Sequence, residues 1–290
     1  MDFDHNPLIK KIINDLIERY SDNIISIYGI GSYFDEDLPS DWIKNDLDLV
    51  AIVKDLSKIP KEDWTDIPFE KYYINGNEVW VGFNTLEGFR NKEKFKSFSN
   101  YEWSVIDFIV HENSSLLFGL DIRDQLPDIN SLVFNLDNLL ARSLYHIENS
   151  LKPQIQNSKV SKSQRAFTKA VFKCGFYLCR VFDKDFYLTS IHKIAVKVEA
   201  LSIDKKIPKI IVDILKECIF FRRKSKFNID FKILRKNFIL IIFSLLGRGA
   251  LHKQMNFKEL TLFLNAHFRG FPYLLQFSKE NKQNIISFKD

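Results

Sequence analysis

The stretch IISIYGIGSYFDEDLPSDWIKNDLDLVAIV, residues 24–53, decides the fold of this chain. An apolar run at residues 24–28 leads into Gly29-Ile30-Gly31, and a second apolar run begins at Leu47. Short runs rich in β-branched residues, bounded by turn residues, predict buried strands. The stretch therefore predicts a strand, a glycine turn, a polar connector and a second strand.

Two carboxylates, Asp46 and Asp48, lie at the start of the second strand. Because they are two residues apart, they point to the same face of that strand. Like charges side by side repel unless a cation lies between them. Mg²⁺ suits this place, since it takes one or two carboxylates and leaves positions for phosphate oxygens. The glycine turn would let the backbone approach a phosphate, and a helix beginning after it would offer N–H donors.

These residues resemble the signature of the nucleotidyltransferase family of the DNA polymerase beta superfamily. That signature is a hydrophobic residue and Gly-Ser, a connector, and then Asp-hydrophobic-Asp-hydrophobic. Ile30-Gly31-Ser32 and Asp46-Leu47-Asp48-Leu49 match it, although the connector is long and Asn45 replaces a frequent serine. The resemblance covers about the first third of the chain. It implies an α/β (α+β) domain with a small mixed sheet, Mg²⁺ on Asp46 and Asp48, and Gly31 and Ser32 on the β- and γ-phosphates of a nucleoside triphosphate.

A third carboxylate is expected in that family, as the general base on the attacking hydroxyl. Asn75-Gly76 between two β-prone runs predicts a hairpin, and Glu78 is the acid on its second strand. Asp107 is the rival, but residues 101–111 have the apolar spacing of a helix. Glu78 is the favoured residue, and a chain without a third acid is the remaining alternative.

The segment LLFGLDIRDQLP, residues 116–127, resembles the end of the catalytic domain in stand-alone nucleotidyltransferases. We interpret Gly119 as the C-cap of a helix and Pro127 as part of a connector. Asp121 and Arg123 are expected to form a local ion pair there. The predicted domains are residues 1–128, the nucleotidyltransferase domain, and residues 129–290, an all-α helical bundle.

Helical apolar spacing continues through the second domain. The helix predicted over residues 161–182 carries Lys169 and Lys173 one turn apart. Two interpretations stay open: the lysines bind the triphosphate as point charges, or they belong to a solvated face. The polar tail, residues 278–290, is expected to fray. Arg142 and His146, like Arg248 and His252, are interpreted as pairs on a helix face.

Composition limits the remaining possibilities. The 290 residues are 46% hydrophobic and 27% charged, with 27 phenylalanines and a net charge of +5, which is ordinary for a globular protein. Three cysteines without metal-ligand spacing favour a reducing compartment. No apolar signal core or membrane span is evident, and a cytoplasmic protein without membrane contact is expected. The basic region 205–236 is either a nucleic-acid or acidic-partner surface or a charged face that keeps the chain soluble.

Three functional hypotheses follow. The first is an Mg²⁺-dependent enzyme that moves a nucleoside monophosphate, AMP in the first place, from a nucleoside triphosphate to a hydroxyl of a small molecule, protein or RNA. The helical domain would choose that acceptor, as the resemblance to aminoglycoside nucleotidyltransferases implies. The second is a non-catalytic nucleotide- or partner-binding module, antitoxin-like or regulatory. The third is an RNA-binding scaffold that uses residues 205–236.

Overall fold

A computed structural model describes residues 6–44, 46–59, 69–74, 76–96, 101–131, 134–153, 162–266 and 271–287. The chain forms two compact units, and each of them takes in a short segment from elsewhere in the sequence. The first comprises Met1–Ser40, Lys44–Phe134 and Tyr187–Ser190, and the second comprises Asp41–Ile43, Asn135–Phe186 and Ile191–Asp290. The domain division at residue 128 stays a prediction.

The first unit is built on a five-stranded mixed sheet. Its elements are α1 (Pro7–Tyr20), β1 (Ile24–Ile30), β2 (Asp46–Val53), β3 (Phe69–Ile74), β4 (Asn77–Asn84), α2 (Leu86–Arg90), α3 (Tyr101–Ile109) and β5 (Ser114–Gly119). The strand order is β3-β4-β2-β1-β5. β2 and β4 run parallel, and the other neighbouring strands are antiparallel. A small mixed sheet with helices is an α+β architecture, as the sequence predicts.

Both faces of the sheet bury apolar side chains. The Asn6 side chain caps α1 by accepting from Leu8 N at 3.0 Å, and the helix then packs Ile12 and Leu16 into a cluster with Leu47, Leu49 and other odd-numbered residues of β2. α3 packs Val105 and Phe108 into the cluster on the opposite face, around Tyr28. The predictions of β1, β2, the β3–β4 hairpin and a helix at α3 are confirmed, while Asn75 of the hairpin turn lies outside the described residues.

The prediction of a helix C-cap at Gly119 is wrong, because Gly119 ends the edge strand β5. The requirement for glycine is nevertheless real. Gly119 has a φ of +82°, and a Cβ atom at this position would lie 2.1 Å from the Ile25 carbonyl oxygen of β1. A left-handed backbone conformation is common at helix caps. At Gly119 it allows two paired strands to approach each other closely.

The second unit is helical throughout the part of it that the structure describes. Its helices are α4 (Leu136–Leu151), α5 (Lys162–Phe182), α6 (Ile191–Ile203), α7 (Lys209–Lys224), α8 (Phe231–Gly247), α9 (Phe257–Ala266), α10 (Pro272–Glu280) and α11 (Lys282–Ser287). The helix predicted over residues 161–182 is confirmed from Lys162 onward. The expectation of a fraying tail is wrong for residues 278–287, because α10 packs on α4 and α11 packs on α8. None of the helices among the described residues is long and apolar enough to cross a membrane.

A segment of the long connector, Asp41–Ile43, belongs to the helical unit. The Trp42 side chain is 5% exposed, with its ring 6.1 Å from that of Phe172 and the Arg222 guanidinium 5.4 Å away over it. The Ile43 N–H donates to the Arg222 carbonyl at 2.8 Å, and the Arg222 guanidinium donates to the Ile43 carbonyl at 3.0 Å. These contacts explain the connector's length, since part of it covers the helices.

A chain of hydrogen bonds joins the helices α4 and α5 to residue 252. His252 Nε2 lies 2.7 Å from Asp137 Oδ1, and His252 Nδ1 lies 2.5 Å from the Tyr177 hydroxyl. Because a carboxylate only accepts, Nε2 carries the proton in this arrangement. Burial opposes ionisation of Asp137, but hydrogen bonds from Lys253 and His252 overcome it and lower the pKa of this carboxyl.

His146 on α4 is surrounded by cations. Burial lowers its pKa well below the usual value, and the charges of Arg142, Lys173 and Lys169 lower it further. The imidazole is therefore neutral in the folded protein at pH values where the same group in the unfolded chain takes up a proton. The difference costs stability as the pH falls, since the unfolded state then binds more protons.

Gly119→Ala should destabilise the protein more than Gly76→Ala does. Both glycines have positive φ, +82° and +78°, so both substitutions carry the left-handed strain of about 1–2 kcal/mol. Apart from its chain neighbours, no described residue has an atom within 4 Å of a Cβ at Gly76, whereas the Cβ at Gly119 meets backbone. Urea denaturation should give an additional loss of about 1 kcal/mol or more for Gly119→Ala. Equal losses would contradict the close approach of β1 and β5.

His146→Gln should make stability less sensitive to acid. Between pH 7.5 and 5.5 the wild-type free energy of unfolding should fall with a slope of up to about 1.4 kcal/mol per pH unit from this group, and the variant should lack that contribution. Urea titrations at several pH values measure the slope. The matched control is His192→Gln at an exposed position of α6, which should leave it unchanged. A slope in His146→Gln equal to that of the wild type would refute the neutral imidazole.

Candidate active site

The glycine turn lies directly against the second aspartate. Ile30, the last residue of β1, pairs with Asp48 of β2, and Gly31 follows with a φ of +76°. A Cβ atom at Gly31 would lie 3.6 Å from Asp48 Oδ2. The turn backbone and this carboxylate therefore line one small region of the first unit, as the sequence suggests.

Gly29 serves a different purpose from Gly31. The ring of Phe34 folds back over Gly29, where a Cβ atom would come within 2.3 Å of it. Phe34 is 7% exposed and belongs to the cluster around α1. The absence of a side chain at Gly29 thus lets the start of the connector pack on the sheet.

Beyond Gly31, the structure replaces the expected helix with one 3₁₀ turn, Gly31–Tyr33. Ser32 lies in this turn and is partly buried. Lys44 was missed in the sequence, where nothing links it to the turn. Its ammonium donates to the Tyr33 carbonyl at 2.9 Å, and burial lowers its pKa. This lysine links the end of the connector, just before Asp46, to the turn that follows Gly31.

Strand register brings Glu78 beside the two aspartates. In the parallel pairing of β2 with β4, Asp46 is opposite Glu78 and Asp48 is opposite Trp80. Residues opposite each other on neighbouring strands share a face. The carboxylates of Asp46, Asp48 and Glu78 therefore stand on one face of the sheet. Asp107 lies instead on the helix α3, which packs on β1 and β5.

Glu78 is held by a lysine that the sequence reasoning missed. Lys71 of β3 places its ammonium 2.5 Å from Glu78 Oε1, and both side chains are about one-third exposed. The same ammonium lies 4.3 Å from the centre of the Trp80 ring and 5.9 Å from that of Tyr73. The hydrogen bond to Glu78 raises the pKa of Lys71, so the lysine stays charged.

The donor set suits a hard cation. Asp46 and Asp48 are half-buried oxygen ligands on one strand face, and Mg²⁺ is bound in proteins by one or two carboxylates with phosphate oxygens and water. Over the described residues, no group of three or more His, Cys, Asp or Glu side chains is arranged to hold a metal ion. The residues fit an ion held by two carboxylates that completes its shell with a ligand such as phosphate.

Lys169 and Lys173 lie on α5, in the helical unit. Their charges, with that of Arg142 on α4, act on His146. The structure thus groups three cations on two adjoining helices, and Arg142 was not among the predicted phosphate contacts. Lys169 is exposed and Lys173 is half-buried.

Asp121 and Arg123 form the local ion pair that the sequence predicts. Arg123 Nη2 lies 2.5 Å from Asp121 Oδ2, and Arg123 also donates to the Ser114 carbonyl at 3.0 Å. The Tyr28 hydroxyl donates to Asp121 at 3.2 Å and accepts from Ile122 N at 2.9 Å. The network fixes the chain after β5.

Much of the basic region 205–236 is engaged inside the helical unit. Lys209 pairs with Asp213, Lys216 with Glu199, and Arg223 and Lys224 with Asp41. Hydrogen bonds from Arg223 and Lys224 lower the pKa of Asp41 to about 2. A nucleic-acid or acidic partner at this region stays a prediction.

No protein-family model matches this sequence, and a search of curated proteins finds no match. Among solved structures, the chain is similar to a nucleotidyltransferase-like protein from Exiguobacterium sibiricum at 11% identity and a TM-score of 0.28. That alignment covers 94% of this chain and 92% of the other.

Proposed function

We propose that this protein is an Mg²⁺-dependent nucleotidyltransferase that moves a nucleoside monophosphate from a nucleoside triphosphate to a hydroxyl acceptor. AMP is the first candidate for the transferred group. The observation that carries the proposal is the meeting of the Gly31 turn with Asp48, with Asp46 and Glu78 on the same sheet face. Phosphate needs close backbone approach, and its counter-ion needs carboxylates. In the first unit, the turn at Gly31 provides the close backbone approach, and the strands β2 and β4 provide the carboxylates.

Asp46 and Asp48 hold the ion in this proposal. Bound there, Mg²⁺ supplies Lewis-acid polarisation of the α-phosphate and offsets charge on the leaving pyrophosphate. Gly31 and Ser32 hold the β- and γ-phosphates at the turn. Because phosphoryl-type transfer needs little covalent help from the protein, positioning and electrostatics provide most of the acceleration.

Glu78 accepts the proton of the acceptor hydroxyl. The hydroxyl oxygen forms a bond to the α-phosphorus as the bond from that phosphorus to the pyrophosphate oxygen breaks. The proton passes from the hydroxyl to the Glu78 carboxylate. The strand register supports Glu78 for this role over Asp107, since Glu78 is directly opposite Asp46.

Lys169 and Lys173 bind phosphate groups of the nucleotide as point charges, together with Arg142. A lysine contributes a compact charge that suits phosphate without fixing a bidentate geometry. The helical unit also selects the acceptor, whether a small molecule, a protein or an RNA.

A second function has one specific observation in its favour. The ion pair between Lys71 and Glu78 engages the carboxylate that would serve as the base beside the two aspartates, which suits a nucleotide-binding module without transfer chemistry. Such a module would bind nucleotide with Mg²⁺ and leave every α-labelled nucleoside triphosphate unchanged. The experiment below separates the two functions.

Asp46→Asn combined with Asp48→Asn should abolish Mg²⁺-dependent transfer. Purified protein is incubated with each α-labelled nucleoside triphosphate and cell lysate, and label on protein, RNA or small molecules is measured. Loss of the ion removes about 4 kcal/mol of transition-state stabilisation, a drop of about a thousandfold. The control is Asp15→Asn with Asp22→Asn on and after α1, which should keep full transfer. Undiminished labelling by the Asp46→Asn, Asp48→Asn variant would contradict the proposal.

Lys169→Gln combined with Lys173→Gln should weaken nucleotide binding while Mn²⁺ binding persists. Each lost charge-assisted contact costs about 1.5 kcal/mol or more, so the KM for the nucleotide should rise about tenfold or more per lysine. The matched control is Lys232→Gln with Lys236→Gln, an exposed lysine pair with the same spacing on α8. A KM that stays at the wild-type value would assign both lysines to a solvated face.

A further inference from the structure

The sheet face that carries the aspartates holds one more charge than the family pattern requires. Besides Asp46, Asp48 and Glu78, the strands place Lys71 on this face, because Lys71 of β3 is opposite Trp80 of β4, which is opposite Asp48 of β2. Before any nucleotide binds, these four strand residues sum to two negative charges.

The position of Lys71 is fixed from two sides. Its ammonium is 2.5 Å from Glu78 Oε1 and 4.3 Å from the centre of the Trp80 ring, where the ring face attracts a cation. Trp80 in turn stacks on Phe69 with ring centres 5.9 Å apart. An ammonium held in this way competes for the carboxylate that a second metal ion would need.

Glu78 is otherwise well placed to share a second ion with Asp46. Opposed residues on neighbouring strands start from backbones about 4.8 Å apart, and two-metal sites hold their ions about 3.5–4 Å apart with bridging carboxylates. Yet within the described residues these three acids do not form a group arranged to hold a metal. Glu78 is instead paired with Lys71.

We propose that Lys71 withholds Glu78 from the metal, so that the site binds a single divalent cation on Asp46 and Asp48. This inference rests on the proposed function. Lys71 is a positioning residue: it holds Glu78 outside the metal's ligand shell and directed at the acceptor hydroxyl. Its ammonium supplies the positive charge that a second ion would bring.

Electron paramagnetic resonance with Mn²⁺ alone as the probe tests this directly, because two Mn²⁺ ions at bridging distance give a spin-coupled spectrum and one ion gives an isolated hyperfine pattern. Wild-type protein at saturating Mn²⁺ should give the isolated pattern. Lys71→Met keeps the length of the side chain but removes its charge, and it should give the coupled spectrum.

Three further variants complete the test. Lys71→Met with Glu78→Gln should return to the isolated pattern, since the third carboxylate is gone. Lys71→Arg keeps the charge and should match the wild type. Lys11→Met, an exposed lysine on the helix covering the opposite face, should also match it and controls for the loss of one positive charge.

The outcomes distinguish a failure of the single-ion inference from a failure of the proposed function. A coupled spectrum from the wild type, or an isolated pattern from a folded Lys71→Met protein, overturns the single-ion inference and leaves the proposed transferase in place. Absence of bound Mn²⁺ from every variant and from the wild type overturns the proposed function itself, and the inference with it.

Discussion

The parallel pairing of β2 with β4 is the constraint on which the candidate site depends. Its register places Glu78 opposite Asp46, and a slip of one residue would bring Val79 there and turn Glu78 to the other face. That slip is costly, because Val79 and Val81 are completely buried in the cluster beneath α1. The apolar core on one face of the sheet therefore fixes the arrangement of charges on the other.

The same register explains which residues are predictable. Asp46, Asp48 and Gly31 follow one another along the chain, and alternation along a strand suffices to place them on one face. Lys71 comes from a third strand, and its contact with Glu78 depends on how β3 pairs with β4. The local sequence does not determine the exact register of β3 with β4. The ion pair is therefore visible only in the folded sheet.

Element types were predictable where apolar periodicity was long, as in α5, and where turn residues bounded a short apolar run, as in β1 and β2. The short run before Gly119 was not predictable. Residues 114–119 contain an apolar core and a glycine that suit both a helix end and an edge strand. The choice between them is made by hydrogen bonds to β1, which lies about ninety residues earlier in the chain. The tail helices α10 and α11 form because they pack on α4 and α8, a tertiary effect that their polar composition hides.

Each unit includes a short segment that is distant in sequence from its main body, and that is therefore synthesised at a different time. Asn113, next to β5, is satisfied by Tyr187 and Thr189: its amide donates to the Tyr187 carbonyl at 2.8 Å, and the Thr189 N–H donates to its oxygen at 2.9 Å. These partners are synthesised only after α4 and α5, and at ~5–20 residues per second the nascent sheet unit waits several seconds for them. Co-translational folding of the first unit is therefore not finished when its main body, ending at Phe134, has left the exit tunnel. Gene fusions or truncations that cut near residue 134 would separate the sheet from its last strip of chain.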